Sequence, residues 1–305
     1  MRILLFGANG QVGWELQRSL SPLGELCVCD QEHVDLEDKD ALSAYIHEYG
    51  PTVIVNAAAY TDVDKAESEP ETAKNINTDA VSLMANEAKR LNAWLIHYST
   101  DYIFDGTKAT NKSYSEDDNP SPLSVYGTTK LQGEESIRKS GCKHIIFRTS
   151  WVYATHGTDF IKTMLRLAKE KDELKIVADQ FGAPTCAELV ADITALCLHQ
   201  LLFTKDEAEL SIGTYNLTPT GVTNWFEFAK LIISEAVDQG ISLKVAAENI
   251  HPIATFEYPL PAKRPSNSQL DCSKICRTFD ILLPPWQKHV RRVIYELAQG
   301  KQDET

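Results

Sequence analysis

Long hydrophobic runs are missing from this 305-residue sequence. No apolar stretch approaches the roughly 18 residues that span a bilayer, and Gly7 interrupts the run Ile3–Phe6 before it could form the core of a signal peptide. We therefore expect a cytoplasmic protein. Basic residues are also scarce, since 30 Lys and Arg face 43 Asp and Glu and leave a net charge of −13. That charge repels nucleic acids and anionic membrane surfaces, so we expect neither as a partner.

Cysteines with the spacing of a zinc site are absent as well. None of the seven cysteines forms a C-x-x-C motif, and the nearest pairs lack the additional His or Cys ligands that zinc requires. We expect reduced, mostly buried thiols. Hydrophobic residues at 43% and charged residues at 24% are typical of a globular protein, and the length suits one large domain or two small ones.

Short apolar runs alternate with helical periodicity through the first half of the chain. Five runs predict buried strands, at Arg2–Gly7, Leu26–Asp30, Val53–Ala58, Trp94–Thr100 and His144–Ser150. Between them lie predicted helices at Val12–Leu20, Asp40–Glu48, Glu71–Arg90 and Val125–Lys139. This alternation predicts an α/β fold with a Rossmann-like, doubly wound parallel sheet.

The alternation loosens after Ser150. We expect helices at Asp159–Lys171, Glu188–Leu202 and Asn224–Asp238, strands near Leu174–Val177 and Thr214–Leu217, and a loop at Asp179–Thr185. Prolines between His251 and Pro265 predict a loop without regular structure. Residues 1–150, with about 172–220, are expected to form an NAD(P)-binding domain, and about 151–171 with 221–305 a smaller, interleaved substrate-binding lobe.

The first predicted strand leads directly into a glycine-rich turn. Glycines at positions 7, 10 and 13 give the pattern G-x-x-G-x-x-G ahead of the first predicted helix. Such a turn lets backbone N–H groups at a helix start approach a pyrophosphate, so we expect it to bind a dinucleotide. A purely structural turn is the alternative. The predicted cofactor contacts in the turn are Gly7, Asn9, Gly10, Gln11, Val12 and Gly13.

An acidic residue ends the second predicted strand. Asp30 stands seventeen residues after Gly13, where a carboxylate can bind the hydroxyls of an adenosine ribose. No arginine stands near Asp30 to receive a 2′-phosphate, which favours NADH over NADPH. Asp35, followed by Leu36, is placed to reach the adenine edge. A solvated loop carboxylate is the alternative interpretation of Asp35.

A tyrosine and a lysine four residues apart form a second candidate site. Tyr126 and Lys130 fall on one face of a predicted helix, where an ammonium group can lower the pKa of a phenol and make it a usable proton donor and acceptor. Ser99 and Thr100 end the fourth strand, at the sheet edge where ligands bind in this fold. A surface Tyr–Lys pair beside a strand-end cap is the alternative.

Together with Asn56–Ala59 after the third strand, these motifs resemble the extended short-chain dehydrogenase/reductases. Within that superfamily the chain is similar to the dTDP-4-dehydrorhamnose reductase family. The similar stretches run across nearly the whole chain: Gly10–Gln17, Asn56–Glu67, His97–Gly106, Ser121–Glu134, Phe147–Ala154, Asp179–Thr185 and Arg264–Asp271.

The resemblance implies a reaction and a role for each matching residue. Hydride passes from NADH or NADPH to the 4-keto carbon of dTDP-4-dehydro-6-deoxy-L-mannose, and Tyr126 donates the proton to the oxygen. Lys130 tunes Tyr126 and holds the nicotinamide ribose, while Thr100 hydrogen-bonds the carbonyl. The further implied contacts are Ala57, Ala58 and Ala59 with the cofactor, and Asp101, Tyr102, Trp151 and Arg264 with the dTDP-sugar substrate. A core aromatic and a solvated arginine are the alternatives for Trp151 and Arg264.

The resemblance also implies a metal-bridged dimer. Glu15, Glu188 and Glu296 match glutamates that hold Mg²⁺ between the two subunits of some homodimers in this family, and carboxylates suit that cation. Glutamates on solvated helix faces are the alternative.

Four other functions remain open from the sequence. Another nucleotide-sugar 4-ketoreductase is one of them, because the sequence does not fix the product stereochemistry at C4. A nucleotide-sugar 4,6-dehydratase places an Asp-Glu pair after the strand-end threonine, whereas this chain has Asp101 and Tyr102. A 4-epimerase is disfavoured only by the closer match to the reductases. A non-catalytic regulatory subunit would have no need to keep Thr100, Tyr126 and Lys130, which are all present.

Overall fold

A computed structural model of the chain describes residues 1–203 and 208–299. Its strands are β1 (Arg2–Phe6), β2 (Glu25–Cys29), β3 (Val53–Asn56), β4 (Trp94–Thr100), β5 (Lys143–Thr149), β6 (Val152–Tyr153), β7 (Leu174–Val177), β8 (Phe181–Gly182), β9 (Thr185–Cys186), β10 (Gly213–Asn216), β11 (Thr223–Asn224) and β12 (Ile250–Ile253). Its α-helices are α1 (Gln11–Leu20), α2 (Lys39–Tyr49), α3 (Val63–Ala66), α4 (Pro70–Lys74), α5 (Ala80–Arg90), α6 (Val125–Ser140), α7 (Phe160–Glu170), α8 (Ala187–Phe203), α9 (Trp225–Asp238), α10 (Ser273–Phe279) and α11 (Trp286–Gln299). No helix in these ranges is long and apolar enough to cross a membrane.

Six parallel strands form the central sheet in the order β10-β5-β4-β3-β1-β2. Successive residues of β1 point to opposite faces, so Ile3 and Leu5 pack in one hydrophobic cluster and Leu4 and Phe6 in another. Helices cover both faces, α1 and α8 on the first and α2 and α5 on the second. The predicted α/β fold with a doubly wound parallel sheet is confirmed.

The strand order reverses direction beside β1. The chain moves from β1 outward to β2, and then returns across the sheet to β3 on the other side of β1. Loops that follow β1 and β3 therefore diverge and leave a crevice at the carboxyl ends of the strands. The register places Phe6 opposite Asn56, and Thr100 opposite Thr149, so the strand ends that were predicted to carry function share one edge.

The helix predicted at Glu71–Arg90 is continuous but not uniform. It runs through α4 and α5 with a π-helical turn at Asn75–Asp79 between them. The turn packs closely on α6, because the carbonyl oxygen of Asn77 lies only 2.3 Å from the position that a Cβ atom on Gly133 would take. This contact fixes α6, the helix that carries Tyr126 and Lys130.

The second half of the chain supplies a smaller lobe beside the sheet. Asn224 caps α9 as predicted, since its Oδ1 accepts the N–H of Glu227 at 2.8 Å. The predicted strand near Thr214–Leu217 is β10 of the main sheet, whereas β7 pairs with β12 in the smaller lobe. β7 therefore lies outside the six-stranded sheet, and the division of the chain into two domains stays a prediction.

Two loop predictions for this part of the chain are wrong. The predicted loop at Asp179–Thr185 contains the short strand β8 and the first residue of β9. Residues within the proline-containing stretch from 251 to 265 do form regular structure, namely most of β12 and a 3₁₀ turn at Thr255–Glu257. Pro252 lies in β12, which pairs with β7 alone. A strand with one free edge needs hydrogen bonds on one side only, so a residue without an N–H group is tolerated there.

Candidate active site

A cavity of about 820 Å³ opens at the carboxyl edge of the sheet. Its walls bring together almost all the residues predicted to bind cofactor or to act on substrate. The glycine turn, Asp30, Asp35, Leu36 and Ala57–Ala59 line it along with Thr100, Asp101, Tyr102, Tyr126, Lys130 and Trp151. Of the predicted cofactor contacts, only Gly13 is not part of the lining.

Glycine has a different structural role at each of the three positions in the turn. Gly7 has φ +79°, and a Cβ atom there would lie 2.4 Å from the backbone nitrogen of Ala58. A Cβ atom on Gly13 would lie 2.0 Å from the carbonyl oxygen of Gly7, so this glycine allows α1 to pack on the turn. Gly10 has no atom closer than 3.4 Å to its hypothetical Cβ, and it faces the cavity at the start of α1. Only Gly10 leaves space that a ligand can enter.

Asp30 is held in place by the turn. Its Oδ2 accepts a hydrogen bond from Nδ2 of Asn9 at 2.9 Å, and its Oδ1 accepts the N–H of Glu32 at 3.0 Å. Nδ1 of His33 lies 2.6 Å from the same Oδ1. The hydrogen bond with His33, followed by that from Asn9, lowers the pKa of Asp30. The group is therefore a fixed carboxylate at the end of β2.

Tyr126 lies in the first turn of α6. Ser124 caps this helix, with Oγ accepting the N–H of Gly127 at 3.1 Å. A Cβ atom on Gly127 would come within 2.2 Å of the carbonyl oxygen of Tyr102, which shows how closely the helix start packs on the segment after β4. The rings of Tyr102 and Tyr126 meet edge to face at 5.6 Å. These contacts set the direction of the Tyr126 side chain.

The electrostatics of Tyr126 differ from the prediction. We expected Lys130 to lower the pKa of the phenol, but burial raises the pKa of Tyr126 to about 12, against an opposing hydrogen bond with Thr100 and with a further increase from the charge of Asp101. The phenol is therefore protonated at neutral pH.

Lys130 is buried one turn beyond Tyr126. Its Nζ donates to the carbonyl oxygen of Tyr98 at 2.6 Å and lies 3.4 Å from Nε2 of His97. Burial lowers the pKa of Lys130 to about 8, although the negative charge of Glu134 opposes that change. Lys130 is thus the buried cation of the cavity. Its pKa lies close to neutral pH, so a small change in pH alters its charge.

Thr100 and Asp101 form the end of β4 and the turn after it. Oγ1 of Thr100 donates to Oδ1 of Asp101 at 3.1 Å and accepts the N–H of Tyr102. Burial raises the pKa of Asp101 to about 6, against hydrogen bonds with Ser268 and Thr100 that favour the carboxylate. Thr100, Asp101 and Tyr126 therefore form a coupled polar group in one wall of the cavity.

Trp151 has a strained backbone and an aromatic support. Its φ is +48°, a left-handed conformation that is unusual for a bulky residue. The indole stacks on Trp225 with ring centroids 3.7 Å apart, and a Cβ atom on Gly182 would lie 2.8 Å from it. Trp225 in turn donates from Nε1 to Oε1 of Gln180 at 3.2 Å. Trp151 is therefore a fixed flat surface at the cavity, and not a simple core residue.

Arg264 is engaged within the protein. Its guanidinium group makes a bidentate pair with Asp64, at 2.9 Å to Oδ1 and 2.7 Å to Oδ2. This pair joins the loop at residues 259–265 to α3, which follows the alanine segment after β3. Arg264 is not among the residues that line the cavity, although Val63, the neighbour of its partner, is.

The three glutamates predicted to hold a metal surround a separate small cavity of about 190 Å³. Arginines neutralise all three: Arg18 lies 3.3 Å from Glu15, and Arg292 lies 2.8 Å from Glu188 and 3.0 Å from Glu296. Across residues 1–203 and 208–299, no group of three or more His, Cys, Asp or Glu side chains is arranged to hold a metal ion. The three glutamates therefore line one cavity of a single chain, and their binding of Mg²⁺ between two subunits stays a prediction.

Several residues of the site belong to no motif that predicts a role for them. His97 and Asn56 lie beneath Lys130, and Trp225 supports Trp151. The loop after β6 also closes on the glycine turn, because Nε2 of His156 lies 3.0 Å from the carbonyl oxygen of Asn9. A histidine inside the otherwise apolar start of β4 was the one visible signal among these.

A doubly wound sheet that carries a dinucleotide-type glycine turn and a Tyr-x-x-x-Lys helix on one cavity defines an oxidoreductase of the extended short-chain dehydrogenase/reductase class. The family model described as the RmlD substrate binding domain matches residues 1–299. The chain belongs to the dTDP-4-dehydrorhamnose reductase family.

Individual relatives are similar over their whole length. A dTDP-4-dehydrorhamnose reductase of Escherichia coli K12 is 48% identical over 301 residues, which cover 97% of this chain and 98% of the relative. The reductase of Burkholderia thailandensis is 43% identical, with 97% and 99% of the two chains covered. The crystal structure of the Bacillus anthracis dTDP-4-dehydrorhamnose reductase in complex with NADP superposes with a TM-score of 0.85 at 34% identity, covering 97% and 99%.

Proposed function

We propose that this reductase converts dTDP-4-dehydro-6-deoxy-L-mannose to dTDP-L-rhamnose, with NADH or NADPH as the hydride source and Tyr126 as the proton donor. One observation carries the proposal: the glycine turn and the group of Thr100, Tyr126 and Lys130 line the same cavity. The crystal structure of the Bacillus anthracis relative contains NADP, which supports a nicotinamide dinucleotide as the ligand.

The residues present fit a dinucleotide. Gly10 leaves open space at the N-terminus of α1, where free N–H groups and the helix dipole suit a pyrophosphate. Asp30 offers a fixed carboxylate for the adenosine ribose, and Ala57–Ala59 line the same cavity as Asp30 and Tyr126. When bound, the nicotinamide supplies the hydride that reduces the keto carbon.

The proton chemistry follows from the state of Tyr126. Reduction of a ketone places negative charge on its oxygen, so the site needs a donor that still carries its proton. The raised pKa of Tyr126 keeps the phenol protonated at neutral pH. Thr100 supplies a second hydroxyl beside it, and the Lys130 ammonium stabilises the phenolate that remains after the proton has left.

The rival 4,6-dehydratase chemistry lacks a base. Tyr102 stands where that reaction needs a glutamate, and burial, together with the charge of Asp101, raises the pKa of Tyr102 above its usual value. A phenol that keeps its proton cannot accept one from a substrate carbon. The site therefore favours simple reduction over elimination.

Substrate contacts are proposed for the residues on the far side of the cavity. The exposed part of Trp151 offers a flat apolar surface for the hexose ring, since Trp225 holds the indole from behind. Arg264 lies outside the cavity lining, and we propose that it exchanges its bidentate partner Asp64 for the diphosphate of the substrate. Asp101 and Tyr102 complete this wall.

The test is a spectrophotometric assay of NADH and NADPH oxidation with the 4-keto sugar nucleotide, with the product identified by NMR. Tyr126→Phe should lose about 10²–10⁴-fold in kcat, the usual contribution of a general acid. Tyr49→Phe is the matched control, because its hydroxyl contacts the carbonyl oxygen of Ile3 near the opposite end of the sheet. Wild-type protein that binds cofactor but does not turn over, or a Tyr126→Phe variant as active as the control, would reject the proposal.

A further inference from the structure

The strand that ends at Thr100 carries a histidine in its interior. His97 is fully buried in β4, and its ring has a polar neighbour on each side. Nδ2 of Asn56 lies 3.2 Å from Nδ1, and Nζ of Lys130 lies 3.4 Å from Nε2. Because a buried imidazole must satisfy both nitrogens within the protein, these neighbours decide which nitrogen carries the proton.

The orientation of Asn56 is set by the backbone. The N–H of Ala58 lies 3.1 Å from Oδ1 of Asn56, and a backbone N–H can only donate. The amide oxygen therefore faces Ala58, and the amide NH₂ group faces His97. Nδ1 of His97 must accept from that NH₂ group, so the neutral ring carries its hydrogen on Nε2.

The Nε2–H group of His97 points at Lys130. An ammonium group has three donors and no lone pair, so it cannot accept this hydrogen, whereas a neutral amine can. The Tyr98 carbonyl accepts from Nζ at 2.6 Å in either state. Neutral Lys130 thus completes a chain of hydrogen bonds from Asn56 through His97 to the Tyr98 carbonyl, and charged Lys130 interrupts it.

We propose that His97 is a positioning residue which presents Nε2–H to Lys130 and thereby stabilises the uncharged form of the lysine. The proposal rests on the function proposed above, since the charge of Lys130 matters there for the phenolate of Tyr126. His97 keeps the lysine near the point at which it gains or loses its proton, so that its charge can follow that of Tyr126 during turnover.

The other groups around Lys130 are consistent with this role. Glu134, one turn further along α6, favours the ammonium form, but Arg148 of β5 and Arg138 both pair with its carboxylate. Burial and the neighbouring charge of Lys130 lower the pKa of His97 well below its usual value, so the imidazole stays neutral. Lys130 is therefore the member of the pair that changes charge near neutral pH.

The tautomer can be measured without activity or cofactor. Nitrogen-15 NMR of the histidine-labelled chain should show His97 with hydrogen on Nε2 and a bare Nδ1 from pH 6 to pH 9, with assignment by the signal that His97→Gln removes. We expect the Nε2 signal to shift with a midpoint near the pKa of about 8 that burial gives Lys130. Hydrogen on Nδ1, or an Nε2 signal that does not respond to pH, would overturn the proposal.

Kinetics give a second, independent measurement. In His97→Gln the side-chain amide can turn its oxygen toward the ammonium, so the alkaline pKa in the pH profile of kcat should rise by about half a unit or more. His144→Gln is the matched control, because this buried histidine of β5 contacts the carbonyl of Cys142 and not Lys130. A folded His97→Gln variant with an unmoved alkaline pKa refutes the role. If wild-type protein does not reduce the keto sugar, the proposed function fails while NMR still decides the tautomer.

Discussion

The buried carboxyl group of Asp101 should make the protein less stable as the pH rises. Only 2% of Asp101 is exposed, and burial raises its pKa from about 3.8 in an unfolded chain to about 6. A group whose pKa is raised on folding contributes stability below its unfolded pKa and loses that contribution as the pH passes its folded pKa. The difference of about 2 units corresponds to about 3 kcal/mol in all, and about half of this is lost between pH 5 and pH 8.

The variant Asp101→Asn isolates this effect, because an amide does not titrate. Urea unfolding of wild type and variant at pH 5, 6, 7 and 8 should show a difference in unfolding free energy that moves in favour of the variant by about 1 kcal/mol or more over that range. Other titrating groups cancel in the difference. A difference that stays constant with pH, or that moves in favour of the wild type, would refute the raised pKa of this buried carboxyl group.

Three further predictions concern the glycine turn, the ion pair under α6 and the glutamate cavity. Gly13→Ala forces a Cβ atom to within 2.0 Å of a carbonyl oxygen and should lower the free energy of urea unfolding by about 3 kcal/mol. Gly10→Ala should leave that free energy unchanged. It should weaken dinucleotide binding about tenfold in a fluorescence titration. Glu134→Gln leaves Arg148 buried without its counter-charge and should cost about 3 kcal/mol, against under about 0.5 kcal/mol for the exposed control Glu135→Gln; similar losses would contradict the buried pair. Mg²⁺ bound by the glutamates in place of their arginine partners should raise the melting temperature, and EDTA should lower it; a melting temperature that neither changes would contradict the predicted Mg²⁺ ligands.

The sheet was predictable because burial on both faces leaves a simple pattern. A strand such as β4, with all seven residues buried, appears in the sequence as one short run with few breaks. The glycine turn was equally predictable, because a tight turn and a close helix contact both require glycine at positions of fixed spacing. The alternation of such strands with helices then predicts that both candidate constellations lie at one edge of the sheet.

Contacts between distant segments could not be predicted in this way. Arg264 pairs with Asp64, which lies 200 residues earlier, and no local pattern connects them. The glutamates predicted to hold a metal do line one small cavity, but no local pattern predicts the arginines that pair with them, because these come from other parts of the fold or from the next turn of a helix. The raised pKa of Tyr126 depends on burial, which the four-residue spacing of Tyr126 and Lys130 does not predict.

Under the proposed function, a chain with a net negative charge has to bind ligands that are themselves negatively charged. Cofactor and substrate both carry phosphates, yet among the described residues that line the large cavity Lys130 alone has a cationic side chain. Lys130 is buried beneath Tyr126, so phosphate groups at the glycine turn must be received by backbone N–H groups and by the dipole of α1. Such donors are fixed by the fold and act only on a group that enters the turn. A chain with a net charge of −13 can therefore bind a dinucleotide while its surface still repels long polyanions.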